Sequence, residues 1–112
     1  MATRHKKFRL NLVVTLCVSA LAQVAHAQAV QDGPGATASG NGVAVGQNAT
    51  AAAVAIAVGA NATASLQSTV VGNTANDNGN VQSTLLGAGA QSTGQAAVAL
   101  GLNASAGLNG VT

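Results

Sequence analysis

After residue 27 this chain holds two ionisable side chains, Asp32 and Asp77, and no His, Cys, Lys, Arg, Glu or aromatic residue. General acid–base catalysis needs a titrating partner near neutral pH, and two carboxylates are the only side-chain candidates. Ser and Thr are abundant, but no base is present to activate them as nucleophiles. Soft-metal ligands are missing after residue 27, and the Gly-Gly-x-Gly-x-Asp calcium repeat does not occur. These residues imply no enzyme, no cofactor, no metal and no small-molecule substrate.

The polar segment Asn76-Asp77-Asn78-Gly79-Asn80 is the one stretch that could act as a recognition loop through Asn76, Asp77, Asn78 and Asn80. Asn/Asp/Gly clusters also simply turn the chain. Asn48-Ala49-Thr50, Asn61-Ala62-Thr63 and Asn103-Ala104-Ser105 match the N-glycosylation pattern, but they fall at the same repeat position, so turn chemistry explains them without glycan.

The elements that must position these residues are repeats. Val43-Ala44-Val45-Gly46, Ile56-Ala57-Val58-Gly59, Thr69-Val70-Val71-Gly72, Thr84-Leu85-Leu86-Gly87 and Val98-Ala99-Leu100-Gly101 share one pattern. Their closing glycines Gly46, Gly59, Gly72, Gly87 and Gly101 stand 13, 13, 15 and 14 residues apart. Ala49, Ala62, Ala75, Ala90 and Ala104 each follow three residues later, where only a methyl fits. A fixed period near 14 is the mark of a repeat architecture. Each unit reads as strand, Gly-x-Asn-like turn, Ala-x-Ala-like strand and second turn. Helix fails on the glycines, each costing about 1 kcal/mol against Ala in a helix interior. The sequence therefore predicts an all-β parallel solenoid of five coils, a column roughly 24 Å tall at strand spacing.

Alternation along a strand predicts which side chains face inward. Val45, Val58, Val71, Leu86 and Leu100 share a phase and are expected in one inward row, with Ile56 and Val98 in the next. In two units Thr69 and Thr84 replace the inward Val or Ile, and Val70 and Leu85 then fall on the outer face. Larger apolar groups there predict contacts with a neighbouring chain. Asp77 stands where other units have Ala51 or Ala64, a slot where a charge is costly, so a bulged turn is expected to carry it to solvent.

The N-terminus reads as an export signal. Arg4, Lys6, Lys7 and Arg9 precede an apolar run from Leu10 to Ala22, and Ala25-His26-Ala27 is a small-x-small cleavage site. Cleavage after Ala27 is expected, with Ala29 nearly as good. Asn11, Gln23 and His26 interrupt the run short of the ~20 apolar residues a membrane span needs. Leu16 before Cys17 does not suit lipoprotein processing. All four cations lie in this segment, so the net charge of +2 does not point to nucleic acid. Domain boundaries follow: signal 1–27, flexible lead-in 28–41, repeats 42–107 and tail 108–112. Ala36-Thr37-Ala38 resembles Ala49-Thr50-Ala51, which leaves room for a degenerate coil in the lead-in.

At Ile56-Ala57-Val58-Gly59-Ala60-Asn61-Ala62-Thr63-Ala64 and Val98-Ala99-Leu100-Gly101-Leu102-Asn103-Ala104-Ser105-Ala106 the chain resembles the YadA-like head repeats of trimeric autotransporter adhesins. The resemblance covers about residues 40–107. It implies a left-handed parallel β-roll, three chains around a threefold axis, and adhesion to host extracellular matrix or cell-surface protein. It implies export to the bacterial surface or beyond. Such adhesins continue into a coiled-coil stalk and a barrel anchor, and neither pattern follows the last repeat, so a fragment, a truncated gene product or a free secreted head is expected. Two other classes share features: a self-assembling curlin-like fibre subunit, from the low charge and Gln/Asn/Ser content, and an ice-binding solenoid. The latter wants one hydroxyl per coil, and the row Thr50, Thr63, Asn76, Gln91, Ser105 decays.

Overall fold

A computed structural model describes residues 28–112. The expected signal segment 1–27, with the signal helix it would form and its expected cleavage after Ala27, lies outside them. The strands run β1 (Val30–Asp32), β2 (Thr37–Ala38), β3 (Val43–Val45), β4 (Thr50–Ala51), β5 (Ile56–Val58) and β6 (Thr63–Ala64). They continue as β7 (Thr69–Val71), β8 (Thr84–Leu86), β9 (Gln91–Ser92), β10 (Val98–Leu100) and β11 (Ser105–Ala106). No helix occurs among the described residues.

The three-residue strands form one six-stranded parallel sheet, in the order β1-β3-β5-β7-β8-β10. The two-residue strands stack as β2-β4-β6 and as β9-β11. Asn76 joins these two groups through parallel bridges to Thr63 and Gln91. The molecule is thus a β-solenoid of about six turns, a column about 29 Å tall at 4.8 Å per coil. Two faces alternate around each coil: a long-strand sheet and a short-strand face.

Sequence and backbone agree at the corners. Gly46 has φ 128°, and a Cβ there would lie 2.7 Å from the carbonyl of Gly59 in the next coil. Only glycine lets the two backbones approach so closely. The following turn closes through Ala49 N–H to Gly46 O at 3.1 Å, and its αL corner is Asn48, φ 56°. Between coils, Val43 N–H donates to Ala55 O at 2.8 Å and Gly59 N–H to Val45 O at 2.8 Å. Backbone groups are thereby paired along the column, as burial requires.

The lead-in is corrected. Residues 28–41 hold β1 and β2, which pair with β3 and β4 in the same register as later coils. Gly33, φ 120°, stacks against Gly46 as a sixth turn glycine, 13 residues earlier. At the other end Val111 pairs with Val98, so the tail carries the stacking onward.

The inward register is also corrected. Ala44, Ala57, Val70, Leu85 and Ala99, the middle residues of their strands, are fully buried. Val45, Val58 and Val71 lie half-exposed on the outside, and Leu86 and Leu100 are each 53% exposed. Ile56 is exposed and Val98 half-exposed beside them. The reason is coil width. A 13-residue coil closes on a core one methyl deep, filled by Ala44, Ala49, Ala51 and Ala55 in its first regular turn. Close packing leaves no room there for a pair of β-branched chains. Val70 and Leu85 enter where the coils lengthen to 15 and 14 residues.

Candidate functional site

The polar segment of the long coil is built from the inside outward. Asp77 keeps the inward slot of Ala51 and Ala64 and is fully buried, contrary to the expected bulge to solvent. Its carboxylate accepts from Ser65 N–H at 2.6 Å, Ser65 Oγ at 2.9 Å and Gly79 N–H at 3.2 Å. Three donors aimed at one carboxylate offset much of the desolvation that a charge meets there.

The inserted length is taken up two residues later. Asn80 turns its carbonyl inward, where Ser68 Oγ donates to it at 3.1 Å and Ser83 Oγ lies 3.5 Å away. Ser83 Oγ also lies 3.3 Å from Ser92 Oγ, which donates to Asp77 O at 2.9 Å. Ser68, Ser83 and Ser92 occupy slots that are Ala in other coils, such as Ala55 and Ala106. Sequence reading passed over this buried serine network, although polar substitution at three inward positions around one long unit is its signal. Among the described residues no buried side-chain nitrogen or oxygen lacks a partner.

The outer side of the same segment is also engaged. Asn78 Nδ2 donates to Ser92 O at 2.8 Å and Asn80 Nδ2 to the same oxygen at 3.2 Å. Asn76 Oδ1 accepts from Asn78 N–H at 2.7 Å. The candidate loop Asn76, Asp77, Asn78 and Asn80 therefore ties the long coil to its neighbours. Asn78 remains exposed, with Asn76 and Asn80 half-buried.

Val70 and Leu85, read as candidate contacts between chains, are corrected: both point into their own coil and are fully buried. The outer face of the long-strand sheet carries the apolar residues instead. Ile56 is 41% exposed and Leu86 and Leu100 53% each, with Val45, Val58 and Val71 between them. Val45, Val58, Val71, Leu86 and Leu100 form one continuous column, because the pairs Val45↔Val58, Val58↔Val71, Val71↔Leu86 and Leu86↔Leu100 are in register. Val43, Ile56 and Val98 stand in the column beside it, which Thr69 and Thr84 interrupt. Sequence reasoning assigned these residues to inward rows because they share a phase in the repeat and alternate with Ala along the strands.

The short-strand face is polar. Thr37, Thr50, Thr63, Asn76, Gln91 and Ser105 form one outward column in continuous register. Thr37 extends the hydroxyl row by one coil beyond the sequence reading. The three sequon asparagines Asn48, Asn61 and Asn103 are exposed at αL corners, and Asn48 Nδ2 donates to Asn61 Oδ1 at 3.4 Å. The turn glycines Gly46, Gly59, Gly72, Gly87 and Gly101 all keep positive φ, from 123° to 151°.

No cavity opens and no cluster of three His, Cys, Asp or Glu forms among the described residues. The arrangement offers surfaces: one apolar and one of hydroxyls and amides. Neither a protein-family model nor a curated protein matches the chain.

Proposed function

We propose that this chain is an exported adhesin head of the trimeric autotransporter type, acting by multivalent contact with host extracellular matrix or cell-surface protein. The observation that carries the proposal is the exposed apolar face of the long-strand sheet. Contiguous apolar faces of this kind mark interaction sites, and a partner with the same face is a second and third copy of the chain. Three rigid columns held together present each weak outer contact three times, and avidity makes the sum effective. The proposal contains no catalytic step, cofactor or nucleic acid. The core of each column is thin, so association also adds buried apolar area that a single chain lacks.

Sedimentation equilibrium of the exported protein tests the assembly, with a trimer expected. Leu86→Asp combined with Leu100→Asp is expected to give a monomer, since both side chains point outward. A wild-type monomer at every concentration would sink the trimer. Binding to immobilised matrix proteins then tests adhesion: the trimer is expected to bind about 100-fold more tightly than the monomeric variant. Equal binding by both would remove multivalency. Open-ended growth with thioflavin fluorescence would favour the fibre-subunit reading instead.

A further inference from the structure

We infer that the short-strand face is a docking surface for a linear, uncharged polysaccharide lying along the column. This rests on the reading of the chain as an adhesive surface and names the chemistry of its partner. The first observation is charge. Among the described residues the only ionisable side chains are Asp32 and Asp77. Asp77 is fully buried, and Asp32 ends a strand of the other sheet. The short-strand face therefore offers no countercharge to a nucleic acid, an acidic glycan or a basic peptide, and such polymers gain nothing from it electrostatically.

The second observation is periodicity. Thr37, Thr50, Thr63, Asn76, Gln91 and Ser105 place one hydroxyl or amide per coil in a straight column. Beside it Ser39 and Thr93 add further hydroxyls, while Ser65 and Asn78 are bonded to Asp77 and Ser92 and the remaining coils carry Ala52 and Gly107. Successive coils step by about 4.8 Å. An extended β-linked glycan presents hydroxyls all along its length at a spacing of similar order, so several of them can meet side chains of the column at once. Without charges or rings on the protein, each contact is a neutral hydrogen bond and weak alone. Repetition over six coils supplies the affinity.

An extended peptide is the competing occupant. Peptides join sheets through unpaired strand edges, where main-chain groups are available. Here the main-chain groups of the central coils are bonded up and down the column. A partner on the face meets side-chain hydroxyls and amides, to which a polyhydroxylated chain is the better match.

The test is co-sedimentation of the purified protein with insoluble neutral β-glucan, at low and at high salt, beside beads coated with hyaluronan or polylysine. Retention on the glucan at both salt levels is expected, because no ion pair is there to be screened. The variant Thr50→Val, Thr63→Val, Ser105→Ala keeps side-chain shape and strand propensity. It is expected to keep its melting temperature and to lose about tenfold or more in glucan affinity. No retention of wild type, unchanged retention of the triple variant, or binding abolished by salt would each overturn the inference. The arms separate it from the trimer: a monomeric wild type that still holds glucan supports this face while removing the assembly. A trimer that binds matrix protein and no glucan overturns the face alone.

Discussion

Val54 sits at φ 57° with its side chain 62% exposed, at a corner where the last full coil places Asn109, φ 51°. A β-branched residue in the left-handed region costs about 1–2 kcal/mol with little burial in return. Val54→Asn is expected to raise stability by about 1 kcal/mol, read as a higher urea midpoint at unchanged slope. Asn61→Val at the preceding type of corner should lower it by a similar amount. Asp77 makes the opposite case, a costly residue held by its partners. Asp77→Ala leaves Ser65 N–H and Gly79 N–H without their acceptor and should cost about 1–3 kcal/mol. Asp77→Asn should cost less, since a carboxamide oxygen still accepts. The exposed Asp32→Asn should leave the midpoint where it is, and a comparable loss there would undo the distinction.

Apart from β1, each strand of three residues buries its middle side chain and turns the other two outward. Ala57→Val adds volume to a slot closed on all sides and should destabilise by about 1–3 kcal/mol. Its neighbour Val58 lies outside, so Val58→Ala should change the monomer's stability far less. Leu85→Ala, in the 14-residue coil, should cost about 2–5 kcal/mol by opening a cavity. Chemical denaturation of a monomeric background such as Leu86→Asp measures all three free of association. At the corners, a Cβ on Gly59 would lie 2.5 Å from the carbonyl oxygen of Gly72, with φ 132°. Gly59→Ala should therefore cost about 2 kcal/mol or more and break the stacking locally, visible as lost amide protection in the coils on either side.

As a whole the column divides its work between two faces. Apolar side chains gather on the long-strand sheet and hydroxyls and amides on the short-strand face. If association is through the apolar face, melting is linked to assembly, and the midpoint should rise with protein concentration. Leu86→Asp should abolish that dependence while the β signal in circular dichroism persists at low temperature. Leu85→Asp makes the control: it places a charge in the core and should unfold the chain at any concentration. Equal behaviour of the two variants would mean that face and core had been misassigned.

The sequence by itself determined the period, the turn glycines and the parallel stacking. Gly46 and its equivalents recur at fixed spacing, and glycine at positive φ against a neighbouring backbone has few alternatives. It contained the first coil too, in Gly33 and Ala36-Thr37-Ala38, though Pro34 and the flanking glycines masked it as a linker. Tertiary structure alone decided which face turns in. Alternation along Val43-Ala44-Val45 is compatible with either choice, and a shift of one residue exchanges every side chain between core and solvent. Closure of a 13-residue coil settles the choice, because the space left inside admits Ala44 and excludes Val43 with Val45. The same closure holds Asp77 inside, where Ser65 and Gly79, brought to it by coil stacking and a tight turn, supply the donors that its place in the repeat did not announce.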